Sequence, residues 1–213
     1  MAELSRRRWL AGLAGLAGLA GLAGSAGLAG LAGLAASVLA SGRASAEVDL
    51  VPVRRQAKLL AKVAGYDRNF KKRAGPKARV LVVVRGRDAE SERVGEQLVS
   101  ELASVPTIGG LPHEESVVEF SGADSLLGAV KERGAAIVYL ATGLADEISA
   151  IADALVGTSV LSVGAVAEYV DRRAVVGFER QGGKAKIVVH LKQARRQKVK
   201  FRSSLLKLAR VIQ

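Results

Sequence analysis

The sequence contains no cysteine, and only 4% of its 213 residues are aromatic. The missing cysteines exclude disulfide bonds, thiolate metal sites and thiol catalysis. Because aromatic side chains are so few, the core must be built from Val, Leu, Ile and Ala. The chain also lacks a Walker A loop, a G-x-G-x-x-G fingerprint, a G-x-S-x-G elbow and an H-E-x-x-H pair. We therefore predict no catalytic residue, no metal ligand and no cofactor, and interpret the chain as a non-enzymatic protein.

Only two histidines are present, His113 and His190, and neither belongs to a metal-ligand pattern. His113 precedes two glutamates, which predicts an exposed loop. His190 falls in an extended pattern, where we expect a surface or packing role.

The N-terminal segment contains three consecutive arginines, and a long uncharged run follows them. Residues 5–10 read SRRRWL and resemble the twin-arginine export signal. Arg6 and Arg7 match its arginine pair, and Trp9 and Leu10 match the aromatic and apolar positions that follow. The uncharged run at residues 9–41 is dominated by a Leu-Ala-Gly triplet. Together these features predict an export signal segment.

A cleavage pattern follows the uncharged run. Ala44 and Ala46 form an A-x-A site, which predicts a signal segment of residues 1–46 and a mature domain of residues 47–213. The uncharged run is also longer than the roughly 20 residues that span a bilayer as a helix. An uncleaved N-terminal membrane anchor is therefore the alternative, and both forms predict an exported, periplasmic domain.

The charge of +12 is unevenly distributed along the chain. Residues 54–79 hold ten basic residues and one acidic residue, and residues 184–213 hold ten basic residues and no acidic one. Two such segments predict a face for an anionic envelope surface or for an acidic protein. A merely solubilising surface is the alternative. The export signal argues against nucleic acid as the partner.

Helical and extended patterns alternate along most of the mature domain. Apolar runs predict buried strands at residues 80–84 and 135–141. Further strands are predicted at residues 117–120 and 160–163. Amphipathic spacing and turn signals predict helices at residues 53–64, 89–102, 121–133, 145–155 and 166–170. This order predicts an α/β fold, with a mainly parallel sheet and helices on both faces.

The C-terminal part departs from that alternation. Residues 174–179 and 186–191 flank a Gln-Gly-Gly turn, which predicts an antiparallel hairpin at one edge of the sheet. Residues 203–212 have helical spacing, so we expect a closing amphipathic helix. The side chains that this helix would bury are Leu205, Leu206, Leu208, Ala209 and Ile212.

The closing SSLLKLARVI at residues 203–212, with a glycine-containing strand and a second strand before it, resembles the C-terminal signature of the YfiR family of bacterial periplasmic proteins. The VRRQAKLLAKVAGYDRNF stretch at residues 53–70 is similar to the N-terminal helix of that family. The resemblance implies a sensor or inhibitor. For the best-studied kind of member, it implies repression of a membrane-bound diguanylate cyclase, and so a link to cyclic-di-GMP and biofilm formation. Without cysteines, redox control is not implied.

The strand-to-helix turns are the candidates for binding a small ligand. In an open parallel sheet, ligands bind outside the carboxyl ends of the strands. Ordinary capping and turn chemistry is the alternative at each turn. The candidate ligand-binding residues are Arg87, Asp88, Ser121, Thr142, Gly143 and Ser162.

A second candidate is the polar cluster that follows the first predicted helix, formed by Tyr66, Asp67, Arg68 and Asn69. One interpretation is a contact with a partner protein. The other is a local packing device, in which Arg68 pairs with a carboxylate.

These features predict a non-enzymatic periplasmic regulator whose partner is an inner-membrane signalling protein. Two alternatives remain at this point. The first is an envelope-binding module that uses its basic face, and the second is a periplasmic solute-binding protein that uses the carboxyl edge of the sheet.

Overall fold

The computed structural model describes residues 50–213. Among these residues, no helix combines the length and the hydropathy that a membrane span requires. The predicted signal segment and cleavage site lie outside the described residues, and with them Arg6, Arg7, Trp9, Leu10, Ala44 and Ala46.

Strands and helices alternate through most of the described part. The strands are β1 (Ala78–Val84), β2 (His113–Glu119), β3 (Ile137–Leu140), β4 (Leu161–Gly164), β5 (Val176–Gln181), β6 (Lys184–His190) and β7 (Arg210–Ile212). The helices are α1 (Val53–Tyr66), α2 (Phe70–Ala74), α3 (Ala89–Ala103), α4 (Ala123–Arg133), α5 (Ile148–Ala154), α6 (Glu168–Asp171), α7 (Leu191–Arg196) and α8 (Ser203–Leu206). A 3₁₀ turn, Ala145–Glu147, leads into α5.

The strands form one sheet in the order β2-β1-β3-β4-β5-β6-β7. Neighbouring strands run parallel except for β5 and β6, which form an antiparallel hairpin. Gly182 and Gly183 close that hairpin with positive φ angles of 57° and 74°, a conformation that glycine adopts without strain. The predicted α/β fold, with its mainly parallel sheet and C-terminal hairpin, is confirmed.

Helices pack on both faces of the sheet, because the side chains of β1 that point to either face are apolar. Val80, Val82 and Val84 belong to a core shared with α1 and α3. Leu81 and Val83 belong to a second core shared with α4 and α5. Each such side chain contributes about 1.5–3 kcal/mol when fully buried. The central strands therefore anchor the loops at their two ends.

Strand β2 begins earlier than the sequence predicts. His113 pairs with Ala78 at the start of the β1–β2 ladder, so it lies in a strand and not in the predicted exposed loop. Strand β2 lies at the edge of the sheet, where polar side chains can reach solvent, so a polar segment can still pair with β1.

The closing helix is shorter than predicted. Helix α8 has four residues, and the chain then extends into β7, which pairs with β6. Leu205 is fully buried as expected, but Leu208 is 69% exposed. The open edge of β6 offers backbone hydrogen bonds to Val211 and Ile212, whose β-branched side chains favour the extended form.

Candidate functional site

The sheet order reverses beside β1, which makes the carboxyl ends of β1 and β3 a topological switch point. The chain passes from β1 to β2 on one side and returns to β3 on the other. At such a point the two following loops diverge and leave a crevice. The loops concerned are residues 85–88 after β1 and residues 141–144 after β3.

The first loop is organised by Asp88, the N-cap of α3. Its Oδ1 accepts hydrogen bonds from the backbone N of Glu90 at 3.1 Å and of Ser91 at 3.0 Å. Arg87 has a left-handed φ of 62°, and its backbone N donates to Oε1 of Glu92 at 3.1 Å. Asp88 therefore serves as a helix cap, and Arg87 turns the chain into the helix.

Ser91 joins the two loops. Its Oγ donates to the carbonyl of Thr142 at 2.7 Å and accepts from the backbone N of Arg85 at 2.8 Å. The Nη1 of Arg85 donates to the carbonyl of Gly143 at 2.8 Å. The structure thus brings the predicted turns after β1 and β3 together. Sequence reasoning missed Ser91, although it stands among Val and Leu on the apolar face of α3.

Gly143 in the second loop lies against Asp88 and Arg85 of the first loop. Its φ is +81°, and a Cβ at this position would lie 2.5 Å from Oδ2 of Asp88. The hydroxyl of Thr142 beside it is buried and has no hydrogen-bond partner among the described residues. Glycine is therefore required at residue 143, and the Asp88 carboxylate packs directly against it.

Tyr169 holds the second loop in place. Its Oη donates to the carbonyl of Ala141 at 3.0 Å and accepts from the backbone N of Leu144 at 2.8 Å. Burial raises the pKa of Tyr169 to about 12, so the phenol remains a donor at neutral pH. Because its partners lie more than twenty residues away, no local pattern indicated this role.

A pocket of about 320 Å³ opens at this switch point. Its polar lining combines two arginines with two glutamates, and both signs of charge face the same space. A Cβ on the pocket glycine, Gly86, would lie 2.7 Å from Oε2 of Glu119. The residues that line it are Arg85, Gly86, Arg87, Glu119, Phe120 and Glu147.

The other two predicted ligand-binding serines lie elsewhere. Ser121 is exposed after β2, and its Oγ donates to Oγ of Ser125 at 2.9 Å. It is not the helix cap, because Gly122 occupies the N-cap of α4 without a side-chain bond. Ser162 is buried within β4, where its hydroxyl donates to Gln197 at 3.1 Å and accepts from the backbone N of Val175 at 3.0 Å. Ser162 therefore connects core elements.

Asp67 is the centre of the polar cluster after α1. Its buried carboxylate forms an ion pair with Arg73, so the arginine partner is not Arg68. Its Oδ1 also accepts from the backbone N of Asn69 and of Lys200, each at 3.1 Å. Asp67 forms an isolated β-bridge with Phe201. The cluster thus fastens the α1–α2 junction to the C-terminal segment.

The same junction brings the two basic segments of the sequence together. The backbone N of Arg68 donates to the carbonyl of Lys200, and the backbone N of Arg202 donates to the carbonyl of Tyr66, each at 2.9 Å. The side chains of Arg68, Lys200 and Arg202 are exposed. We call these three residues the basic face.

The two histidines are both held by protein groups. His113 contacts Glu115 through Nδ1, and its Nε2 lies 2.6 Å from the carbonyl of Val105. His190 is buried at the N-cap of α7, where Nδ1 accepts from the backbone N of Gln193 at 3.2 Å. Within residues 50–213, no three acidic or histidine side chains are grouped as a metal site.

The YfiR/HmsC-like family model matches residues 54–210 of the chain. Among curated proteins, none matches the sequence. Its fold is similar to that of an ABC domain in complex with L-Trp from Streptococcus pneumoniae, with a TM-score of 0.53 and 13% identity over 76% of this chain and 62% of that one.

Two further solved structures share the fold. A conserved domain protein from Vibrio cholerae has a TM-score of 0.52 and 15% identity over 78% of this chain and 61% of that one. The ligand-free, open form of CD0873, a substrate-binding protein with adhesive properties from Clostridium difficile, has a TM-score of 0.50 and 10% identity over 76% of this chain and 60% of that one. The chain thus spans about three fifths of these proteins, and at such identities the likeness shows the fold alone.

Proposed function

The chain belongs to the YfiR/HmsC-like family, and we propose that it is a non-enzymatic periplasmic regulator that represses a membrane-bound diguanylate cyclase. The family match over residues 54–210 is the observation that carries this proposal, because the family is one of periplasmic regulators. Repression then means that the chain binds the inactive conformation of the cyclase's periplasmic part more tightly than the active one.

The surface that we assign to this partner is the basic face. Its three cationic side chains are exposed and lie on two chain segments, which backbone hydrogen bonds join to each other. A rigid patch of one sign accelerates encounter with an acidic partner and fixes the orientation of docking. In this assignment Arg68 contacts the partner, whereas Asp67 positions Arg68 from within the fold.

An affinity pull-down from native membranes tests the proposal. The tagged chain should enrich a diguanylate cyclase with a periplasmic domain, and the N-terminus of the bait should be Glu47. The variant Arg68→Gln/Lys200→Gln/Arg202→Gln should lose that enrichment. The matched control Lys131→Gln/Arg133→Gln/Lys184→Gln removes the same charge from exposed positions elsewhere and should retain it.

Two results would contradict the regulator proposal. The first is a pull-down in which the wild type enriches no signalling protein above a control without bait. The second is an unchanged cyclic-di-GMP level in cells that lack the chain. Retention on anionic vesicles that disappears with added salt would instead favour an envelope-binding module.

The pocket at the switch point favours a second candidate, the binding of a small zwitterionic solute. Arg85 and Arg87 can receive a carboxylate, while Glu119 and Glu147 can receive an ammonium group, as in a free amino acid. The location at the carboxyl edge is the usual one for ligands of such sheets. The Streptococcus pneumoniae relative in fold was solved with L-Trp.

A thermal-shift screen with the twenty amino acids, L-Trp included, tests this second candidate. A ligand should raise the melting temperature of the wild type but not of Arg87→Asn/Glu119→Gln. The control Arg133→Gln/Glu132→Gln changes an equally exposed charge pair on α4 and should respond as the wild type does. If no amino acid shifts the melting temperature, the pocket is not a site for such a solute.

A further inference from the structure

A second pocket lies at the opposite, amino-terminal edge of the parallel sheet. Its lining comes from α2 and its N-cap, which precede β1, from Ser159, two residues before β4, and from the turn after α7. Its volume is about 350 Å³, which falls in the lower part of the range of roughly 300–1,000 Å³ for small-molecule sites. The lining contains three cations and no acid, namely Asn69, Lys72, Arg73, Ser159 and Lys198.

Arg73 is the unusual member of this pocket. Its side chain is only 8% exposed, and Asp67 occupies its Nη1 while the ring of Phe70 lies 5.2 Å from its guanidinium carbon. Its Nε and Nη2 are buried and have no hydrogen-bond partner among the described residues. Buried donors without acceptors are rare, because each forfeits the hydrogen bonds that water would have supplied.

The charge of Arg73 is incompletely balanced. Burial lowers its pKa more than the neighbouring carboxylate of Asp67 raises it, so the site favours additional negative charge. The two unpaired atoms, Nε and Nη2, form one edge of the planar guanidinium. That edge presents two parallel N–H groups, which is the geometry that binds two oxygens of one oxyanion.

The other lining residues add further donors to the pocket that Arg73 lines. Lys72 and Lys198 supply two exposed ammonium groups, and Asn69 and Ser159 supply a neutral amide and a hydroxyl. Since Asp67 offsets the charge of Arg73, the two lysines leave the site with two positive charges. A dianion with several oxygens matches this balance, whereas a carboxylate would neutralise only half of it.

We propose that this pocket binds a phosphate dianion, either as free phosphate or as the terminal group of a phosphomonoester. Arg73 holds two phosphate oxygens through Nε and Nη2, and the lysines neutralise the charge. The two basic segments of the sequence, which contribute Lys72 and Lys198, are then brought together at a binding site. The site is independent of the pocket at the switch point, and it does not depend on the identity of any partner protein.

Calorimetric titration with inorganic phosphate at low salt tests the proposal. We expect one phosphate per chain in the wild type. The variant Lys72→Gln/Lys198→Gln should weaken its affinity at least about tenfold. The control Lys58→Gln/Lys62→Gln removes two exposed lysines from α1 and should change it less than about twofold.

The variant Arg73→Lys tests whether the two parallel N–H donors of the guanidinium contribute to binding beyond the positive charge alone. It keeps the charge beside Asp67 but loses the two parallel donors, so phosphate affinity should fall while circular dichroism confirms folding. Absence of saturable binding to the wild type would overturn the proposal. Equal weakening in Lys72→Gln/Lys198→Gln and in the α1 control would also overturn it. That result would show that phosphate affinity depends on the net charge of the protein and not on this pocket.

Vesicles distinguish the source of the phosphate. Phosphatidic acid carries a phosphomonoester, whereas phosphatidylglycerol carries a phosphodiester with one negative charge. Binding to phosphatidic acid vesicles in preference to phosphatidylglycerol vesicles, lost in Lys72→Gln/Lys198→Gln, would assign the site to a lipid headgroup. Saturable binding of inorganic phosphate without that preference would assign it to a soluble phosphate compound.

Discussion

The phenol oxygen of Tyr139 on β3 donates a hydrogen bond of 2.8 Å to Oε1 of Gln56 on α1. Both side chains are buried. The Nε2 of Gln56 donates in turn to the carbonyls of Val51 at 2.8 Å and Ala165 at 3.1 Å. Burial raises the pKa of Tyr139, so the phenol remains a donor. This network fixes α1 against the centre of the sheet.

Tyr139→Phe should therefore destabilise the fold. The substitution leaves Oε1 of Gln56 buried without its donor, and we expect the free energy of unfolding to fall by about 1–3 kcal/mol. Urea denaturation measures this loss. Tyr66→Phe serves as the control, since no side-chain hydrogen bond from residues 50–213 holds the half-buried Tyr66. It should remain within about 0.5 kcal/mol of the wild type. Equal losses in the two variants would contradict the network.

Gly143→Ala and Gly128→Ala should change stability in opposite directions. Gly143 has a φ of +81°, and its Cβ would approach Asp88 to 2.5 Å, so we expect a loss of about 1–3 kcal/mol. Gly128 lies in α4 with open space around its Cβ position, so alanine there should add about 0.5–1 kcal/mol. Thermal unfolding of the two variants checks both signs, and a neutral Gly143→Ala would disprove the close packing of the two loops.

Leu205→Ala and Leu208→Ala distinguish the observed C-terminal strand from a continuous helix. Leu205 is fully buried, whereas Leu208 is 69% exposed. We expect Leu205→Ala to reduce the free energy of unfolding by about 2–5 kcal/mol. Leu208→Ala should remain within about 0.5 kcal/mol of the wild type. Comparable losses in denaturant titrations would support a helix over residues 203–212 instead.

Protonation of His190 should weaken the fold at low pH. Burial lowers the pKa of His190 and outweighs a backbone hydrogen bond that raises it. The charges of Arg173 and Lys192 lower this pKa further, and that of Asp171 raises it. Its Nδ1 also accepts the capping bond from Gln193, which a protonated ring cannot do.

Since the folded chain binds this proton less readily than the unfolded chain, stability should fall as the pH drops below the ordinary histidine pKa of about 6.5. His190→Asn keeps a capping acceptor and removes the titration. The stability advantage of the wild type over this variant should be smaller at pH 5 than at pH 7.5. A difference that does not change with pH would exclude the titration of His190 as its source.

The parallel sheet could be predicted because its signals are local. The apolar run in β1 requires burial on both faces, and the amphipathic spacing of α1 and α3 requires one apolar side. The hairpin could be predicted because two glycines mark its turn. The end of the chain could not be predicted in this way, because β7 depends on the free edge of β6 and not on the spacing of its own side chains.

The candidate site could likewise be predicted only where its residues carry local signals. Asp88 and Gly143 carried turn signals, and the structure places their loops together. Ser91 and Tyr169 carried none, because each acts on a loop that follows a different strand. The importance of Arg73 was equally hidden, since one arginine among many basic residues is distinguished only by its burial and its unpaired atoms.

The bridge between Asp67 and Phe201 joins two distant parts of the chain, which has a consequence for folding. The carboxylate of Asp67 and the backbone N of Lys200 are 133 residues apart in sequence, so the loop between them must be closed before the bond forms, and such non-local contacts slow folding. Once closed, the amides of Arg68 and Arg202 are protected by the same contact. In native-state hydrogen exchange they should exchange together, as members of one cooperative unit.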